Sequence, residues 1–164
     1  MPYTVRDHLR HENRQITTFQ RKAGTTIQWW EFDRADTTRD AVYDEGPGVA
    51  GGGRLWYPPK MIPVYSIIRV EGVEVPGPEG KYTVDTIHVS ALLDQLRKAG
   101  LSNLLDAQSH LNDRFVWDSF VWEIRTYQIQ GRLQTYETTV GIQATKVSPE
   151  EMINDSQFGA FDQP

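Results

Sequence analysis

The chain has 164 residues, no cysteine, and a net charge of −5 from 17 basic and 22 acidic side chains. This length predicts one domain with its own core, and the lack of cysteine excludes disulfides, thiolate metal sites and a cysteine nucleophile. The negative charge argues against electrostatic binding of nucleic acid. We also expect no membrane contact, because no apolar run approaches the roughly 20 residues that span a bilayer and the N-terminus lacks the apolar core of a secretion signal.

Residues 1–24 are predicted to form an N-terminal helical segment. Thr4 suits the N-cap, and Gly24 stands just past the end. Residues 1–22 carry a net charge of +3, which leaves −8 for the rest of the chain. The basic face of this helix is either a solvated surface or a docking face for an acidic partner. Three arginines at intervals of four residues form that face: Arg6, Arg10 and Arg14.

The pattern changes at Thr25, where the β-branched and aromatic sequence TTIQWWEFD predicts a strand. Residues 44–59 then hold five of the chain's 13 glycines together with three prolines, which predicts a long loop. Loops of this length are usually functional or disordered. Residues 46–51 match the G-x-G-x-x-G pattern of dinucleotide sites, but no helix follows to hold a phosphate, so we reject that function.

The middle of the chain predicts further strands. Residues 61–75 indicate one strand or a bent pair, residues 76–80 a turn, and residues 81–89 a strand of alternating polarity. Ser90 is expected to cap a short helix, which Gly100 ends.

The clearest β region lies between residues 114 and 147, where residues 136–145 alternate as in a one-sided antiparallel strand. Gln130-Gly131 is the predicted hairpin turn. Ser148, followed by a proline at the first helical position, predicts a short C-terminal helix. Residues 155–164 are expected to form an arm that becomes ordered only on a partner.

These elements predict an α+β protein that is mostly β and forms a single domain over residues 1–164. An antiparallel sheet or small barrel is expected over residues 25–147, with a short helix between strands. Residues 148–164 form the predicted C-terminal helix and arm.

No motif points to catalysis. His8 and His11 are three residues apart, but nothing completes a set of metal ligands. His88 is expected on a strand face and His110 in a connector without a visible partner. Because the sequence also lacks a nucleophile–base signature and a phosphate loop, we expect no enzyme, no cofactor and no metal.

Five tryptophans are an excess for a chain of this length. Trp29 and Trp30 are adjacent on a predicted strand, so only one of them can face the core. Trp117 and Trp122 are five residues apart and would lie on opposite faces of a regular strand. Outward tryptophans are typical of interfaces, the alternative being a sheet buried on both faces. Trp56 is expected either to clamp the loop base or to touch a neighbour.

The order of segments resembles the head-to-tail connector proteins of long-tailed bacteriophages, in particular the stopper, or head-closure, group of actinobacterial phages. The resembling stretches are residues 4–32, 41–46, 80–96 and 113–147. The last stretch is the most telling. Its pattern D-R-x-x-W-D-x-x-x-W-E-I resembles the residues with which that group opens a hairpin, before a terminal strand closes the barrel.

This resemblance implies a small, partly open β-barrel related in shape to Src-homology-3-like barrels. It also implies a virion protein of the head–tail junction, made in the cytoplasm of a bacterial host. Its copies would form a twelvefold or sixfold ring between the portal and adaptor rings and the tail terminator or tail tube protein. The ring would close the filled head, and packaged DNA would pass through without sequence-specific binding. A tail terminator or minor tail protein is the alternative, and a small-ligand or enzymatic domain a more remote one.

Two sets of residues are expected to serve this ring. Glycines give the long loop the backbone freedom to close and open a lumen. The expected gating residues are Asp44, Glu45, Gly46, Gly48, Gly51, Gly52, Gly53 and Arg54. Charge and aromatic content predict the contacts between subunits or rings. The expected interface residues are Arg6, Arg10, Arg14, Trp56, Tyr57, Phe158 and Phe161.

Overall fold

The computed structural model describes residues 4–23, 25–35, 54–78, 80–133, 136–153 and 155–161. Its strands are β1 (Thr26–Trp30), β2 (Lys60–Pro63), β3 (Ser66–Gly77), β4 (Gly80–Leu92), β5 (Arg114–Trp117), β6 (Phe120–Leu133) and β7 (Tyr136–Lys146). Its α-helices are α1 (Val5–Ala23), α2 (Leu93–Lys98) and α3 (Pro149–Met152), and 3₁₀ turns lie at Ala107–His110 and Ser156–Phe158.

All seven strands belong to one antiparallel sheet in the order β2-β1-β5-β6-β7-β4-β3. The two edge strands, β2 and β3, are joined by Val64 and Tyr65 alone. The Val64 amide donates to the Thr25 carbonyl beside β1, and the Tyr65 amide donates to the Ser90 carbonyl in β4, each at 3.1 Å. This short link connects the two margins of the sheet, so the mostly β, partly open barrel expected from the resemblance is confirmed.

Apolar side chains cover both faces of the sheet around β1, β5 and β6. The main core includes Trp29, Trp122 and Tyr127, together with residues of β4, β7 and α2. Successive strand residues point to opposite faces, and Val116 and Val121 accordingly belong to a second cluster. The second cluster also contains Trp56, Val147, Met152 and Phe158, with Trp30, Phe32 and Phe161 packed against it.

Two helix starts follow the sequence prediction. The Asp7 amide donates to Thr4 Oγ1 at 3.3 Å, and the Thr4 amide donates back to the Asp7 carboxylate at 3.0 Å. The Ser148 hydroxyl likewise accepts the Glu151 amide at 3.3 Å. Both are local caps of the kind that a sequence pattern can reveal.

The start of α2 differs from the prediction, whereas its end agrees. Ser90 lies within β4, which runs on to Leu92, and α2 begins at Leu93 without a side-chain cap. Gly100, with φ of 83°, donates to the Arg97 carbonyl at 3.1 Å. The next amide donates to the Leu96 carbonyl at 3.2 Å, which completes a Schellman end.

The predicted turn at Gln130-Gly131 is wrong, because both residues lie inside β6. Gly131 stands opposite Thr139 at a register shift. The hairpin turn that the sequence did not reveal is Asp118-Ser119, where both residues have positive φ (53° and 65°) and connect β5 to β6. This conformation usually favours Gly or Asn, so a search for those residues passes over it.

This hairpin also corrects the expectation for Trp117 and Trp122. They occupy neighbouring strands, with Trp117 opposite Phe120 and Trp122 opposite Phe115. Both therefore share one face and contact the main core.

The predicted C-terminal arm is wrong for residues 155–161, which fold back onto the chain. Phe158 is completely buried, and its ring lies 5.1 Å from that of Trp30 and 5.0 Å from that of Trp56. Burying one such aromatic side chain contributes roughly 1.5–3 kcal/mol. The segment is therefore part of the fold without any partner.

Candidate assembly surfaces

The glycine-rich segment begins and ends at a fixed base. Phe32 and Trp56 form an antiparallel bridge. The Asp33 amide donates to the Leu55 carbonyl at 2.9 Å, and the Tyr57 amide donates to the Glu31 carbonyl at 2.8 Å. Of the expected gating set, the residues from Asp44 to Gly53 lie outside the described residues. The Phe32–Trp56 bridge and these two hydrogen bonds form a short antiparallel ladder, which extends the sheet on the β1 side.

Arg54 is anchored to the body instead of projecting from it. Its guanidinium donates to both oxygens of Asp155, at 2.9 and 3.3 Å, and to the Glu151 carbonyl at 3.2 Å. The Asp155 side chain is 1% exposed, so this is a largely desolvated contact. Arg54 thus joins the end of the long segment to the folded C-terminus.

Arg114 continues this network beneath the surface. It is fully buried and donates to Asp155 at 2.6 Å and to Glu123 at 3.3 Å. Its guanidinium carbon lies 4.5 Å from the centre of the Trp56 ring and 5.3 Å from that of Phe158. The cation is therefore held by two carboxylates and two aromatic faces.

The aromatic residues of the expected interface set fall into two groups. Trp56 is 4% exposed and Phe158 is fully buried, so neither presents its ring on the surface of this chain. The Gln157 side chain also holds the backbone of Trp56. Its carbonyl oxygen accepts the Trp56 backbone N–H, and its amide nitrogen donates to the Trp56 backbone carbonyl, each at 2.9 Å. Tyr57 is 47% exposed and Phe161 is half-buried, so these two remain accessible.

The arginines of the interface set lie on the solvent side of α1. Arg6, Arg10 and Arg14 are exposed, and no α1 side chain that the structure describes is buried. Arg6 Nε donates to the Tyr136 hydroxyl at 3.4 Å, and Gln95 of α2 donates to Thr17 at 3.3 Å. Within the described part of the chain, Arg10 and Arg14 have no ion-pair partner.

A buried polar cluster around Asp113 was not found from the sequence. Asp113 accepts the Trp29 indole N–H at 2.9 Å and the Phe32 amide at 2.7 Å, and its carboxylate lies 2.8 Å from His110 Nδ1. The His110 ring stacks on Tyr127 at 4.6 Å, so the expectation that it has no partner is wrong. Trp29 and Asp113 are 84 positions apart, and no local pattern links them.

A cleft of about 380 Å³ lies beside this cluster, and its acidic groups are engaged within the chain. Glu31 accepts hydrogen bonds from Lys60 and, at 2.9 and 2.8 Å, from the Ser102 amide and hydroxyl. Burial alone would raise the pKa of Glu31, but these three hydrogen bonds outweigh it and lower that pKa. Such a carboxylate is fixed in its charged form and suits a structural role better than proton transfer.

His88 lies in a different groove with Thr126, Gln128, Gln130 and Gln143. Among the described residues that line this groove, none is a carboxylate, whereas the ligand-binding alternative expected carboxylates beside His88. Across the described ranges, no group of three His, Cys, Asp or Glu side chains could hold a metal ion. In the same ranges, no helix is long and apolar enough to cross a bilayer.

Comparisons with known proteins gave a distant structural likeness. No protein-family model matches the chain, and no curated protein matches it. One matching solved structure is titled "Virion of native gene transfer agent (GTA) particle". A chain of that structure shares 12% identity with a TM-score of 0.41, over 75% of this chain and 94% of that one. The likeness is too distant to assign a class of protein to the chain.

Proposed function

We propose that this chain is a structural protein of a virion, and that its copies form a stopper ring at the head–tail junction. The sequence resemblance supports the proposal, and its most telling stretch coincides with a defined unit of the fold. Residues 113–124 form the end of a connector and the β5–β6 hairpin, and β7 pairs directly with β6. The helices lie near the ends of the chain or between strands, as the resemblance to stopper proteins implies.

The observation that carries the proposal is the contrast between buried carboxylates that are paired within the chain and large apolar side chains that are exposed. Each buried carboxylate has a partner within the chain. These carboxylates are Glu31, Asp33, Asp113, Glu123 and Asp155. By contrast, large apolar side chains on the β3–β4 hairpin are exposed, among them Ile68 at 59% and Tyr82 at 53%. An enzyme needs reactive groups kept available, whereas a component of an assembly needs apolar surface for its neighbours.

The decisive experiment is cryo-electron microscopy of the particles that contain this protein, with copy numbers measured by quantitative mass spectrometry. We expect a twelvefold or sixfold ring of this chain between the portal or adaptor and the tail. A ring at the upper end of an assembled tail without heads would favour the tail terminator instead. If purified particles lacked the chain, the proposal would be wrong.

The gating role of the long segment has its own test. Because the Phe32–Trp56 bridge closes its base, deleting residues 46–53 should leave the body folded. We expect particles with this deletion to form rings and to lose packaged DNA after filling. The control replaces residues 46–53 with a Gly/Ser sequence of equal length, which keeps the reach of the segment. Equal DNA retention in the deletion particles and the wild type would remove the gating role and leave the ring in place.

A further inference from the structure

The basic face of α1 is polar throughout. Successive residues lie about 100° apart around a helix, so Arg6, Arg10 and Arg14 fall within roughly 80° of one another. The apolar side chains of α1 that the structure describes form a separate, half-buried stripe, centred about 120° from Arg10. This stripe consists of Val5, Leu9 and Ile16. Among the described residues, none of the large exposed apolar side chains belongs to α1. The basic face therefore offers charge and hydrogen bonds but no apolar anchor.

Acidic side chains of the same helix leave this face positively charged. Asp7 lies nearly one turn before Arg10, but its carboxylate is held mainly by Thr4, whose amide and hydroxyl it accepts at 3.0 and 2.5 Å. Glu12 lies two residues after Arg10, which places it about 160° away around the helix. Across the described ranges, no ion pair joins Arg10 or Arg14 to a carboxylate. Both arginines are exposed and can bind a partner of negative charge.

The chemistry of this face fits a nucleic acid better than an acidic protein. Most acidic side chains that the structure describes in residues 25–161 form ion pairs with cations of the same chain, so another copy offers few free carboxylates. Interfaces between proteins usually centre on apolar or aromatic side chains, which the basic face does not provide. Interfaces with nucleic acid are polar and strongly positive. The composition of the basic face therefore favours a phosphate backbone as its partner.

The spacing of the three arginines also suits a phosphate backbone. Residues four positions apart are separated by about 6 Å along a helix axis, so the arginines span about 12 Å. A DNA duplex carries one phosphate charge per about 1.7 Å of its axis, or roughly seven over that span. Each guanidinium can therefore meet a phosphate and donate two parallel N–H bonds to its oxygens. Contacts of this kind strengthen and orient binding but do not read the base sequence.

We propose that the basic face of α1 binds the phosphate backbone of double-stranded DNA. The net charge of −5 argues against such binding by the chain as a whole, but residues 1–22 carry +3 and the remainder −8. The acidic remainder repels DNA, which favours an orientation with α1 towards the duplex. In the proposed ring, each copy adds a few weak contacts, and many copies together hold the duplex. The inference rests on the proposed function for the source of the DNA, the packaged genome, and on α1 for the contact.

Salt-dependent binding tests the contact in the isolated chain. The full-length protein is titrated into a fluorescent DNA duplex of arbitrary sequence, and fluorescence anisotropy is recorded between about 20 and 200 mM salt. Each phosphate contact contributes about −0.9 to the slope of the logarithm of the binding constant against the logarithm of salt concentration. The variant with Arg6→Gln, Arg10→Gln and Arg14→Gln should therefore lose about 2.7 of that slope per bound chain. At the lowest salt it should bind at least about tenfold more weakly.

A matched variant removes the same charge elsewhere on the surface. Lys81→Gln, Lys98→Gln and Arg125→Gln take away three exposed cations outside α1, so the net charge falls equally in the two variants. We expect the matched variant to keep nearly the slope of the wild type. Equal weakening in the two variants, with both folded by circular dichroism, would show an effect of net charge alone and overturn the inference. A wild type that does not bind the duplex at the lowest salt would also overturn it.

Photo-cross-linking tests the contact inside particles. A photoreactive benzoylphenylalanine replaces either His11, which lies beside Arg10 and Arg14, or Glu12, which lies on the far side of the helix. In filled particles, illumination should join position 11 to DNA and should join position 12 to DNA far less. A cross-link from position 11 to another virion protein without DNA would overturn the inference in favour of an acidic docking partner.

The outcomes separate the DNA contact from the ring. Particles that contain a ring of this chain but give no DNA cross-link from position 11 would overturn the contact and leave the proposed function intact. Particles that lack the chain would overturn the proposed function, and the anisotropy measurement would then decide the DNA contact by itself.

Discussion

The two ends of the sheet differ in how completely the chain covers them. Around β1, β5 and β6, both faces are packed and the buried charges are paired, as Arg114 with Asp155 and Glu123 shows. At the β3–β4 edge, the hairpin extends beyond β7 and exposes Ile68 and Tyr82. The first region is packed on both faces, whereas the second leaves large apolar side chains exposed among the described residues. The packed region thus accounts for the stability of the chain, whereas the exposed edge is the surface on which the proposed assembly can be tested.

The largest expected effect lies at Asp113. Replacing it with Ala removes the acceptor for the Trp29 indole and the Phe32 amide and leaves His110 without its carboxylate. We expect a loss of about 4 kcal/mol in the free energy of unfolding, measured by urea denaturation, because unsatisfied buried groups are costly. Asp113→Asn keeps one acceptor and should lose less. Asp94→Ala, which removes only the surface pair with Lys98, is the control and should cost under about 0.5 kcal/mol.

Asp155 tests whether the C-terminal segment belongs to the packed region. Its replacement with Ala leaves Arg114 with one carboxylate and leaves Arg54 with its contacts to Glu151 alone among its acidic partners. We expect a loss of about 3 kcal/mol and faster proteolysis within residues 148–161. Glu150→Ala, at an exposed position of α3, serves as the control. If the variant were cleaved at the same sites and rates as the wild type, the C-terminal segment would not depend on Asp155 for its attachment to the rest of the fold.

Tyr127 gives the packed region a pH signature. Burial, with the nearby negative charge of Asp113, raises the pKa of Tyr127 to about 12, and its hydroxyl donates to the Leu104 carbonyl at 2.8 Å. The pKa of an unfolded tyrosine is about 10. The stabilisation from Tyr127 is therefore complete below pH 10 and is lost as the pH rises towards 12.

The measurement compares unfolding free energies of the wild type and Tyr127→Phe between pH 9 and 12. The difference between the two proteins should shrink with rising pH, because only the wild type loses this contribution. A difference in unfolding free energy that stays constant between pH 9 and 12 would contradict the raised pKa of Tyr127.

The smallest effect on stability is expected on the outer face of the β3–β4 hairpin, where Ile68 and Tyr82 are exposed. Ile68→Thr and Tyr82→Thr keep a strand-forming side chain and remove only exposed apolar surface, so the free energy of unfolding should change by less than about 0.5 kcal/mol. The same variants should reduce incorporation into particles. A large loss of stability in the isolated chain would remove the distinction between the two regions.

Local signals in the sequence predicted much of the fold. Thr4 and Ser148 cap their helices, and Gly100 ends α2, because each acts on amides or carbonyls within a few residues. The turn at Asp118-Ser119 was not predicted, since it uses residues that rarely adopt positive φ.

The long-range polar contacts could not be predicted from the sequence for a different reason. Arg54 and Asp155 are 101 positions apart, and only the folded sheet brings them together. The register of β3 and β4 was equally hidden, because a bulge between Val70 and Val73 shifts the pairing by one residue. Without that shift, Val73 would lie on the opposite face of the hairpin from Ile68 and Val70. Composition indicated excess aromatic residues but could not show that Trp56 faces inward.

The bridge between Phe32 and Trp56 has a consequence for how this protein can diversify. The bridge fixes the two ends of the intervening segment. A change in the length of that segment therefore has little effect on the stability of the rest of the chain. Doubling the number of residues between fixed ends costs only about 0.6 kcal/mol of closure entropy. A change in the number of residues between Asp33 and Leu55 is therefore expected to alter the free energy of unfolding by well under about 1 kcal/mol.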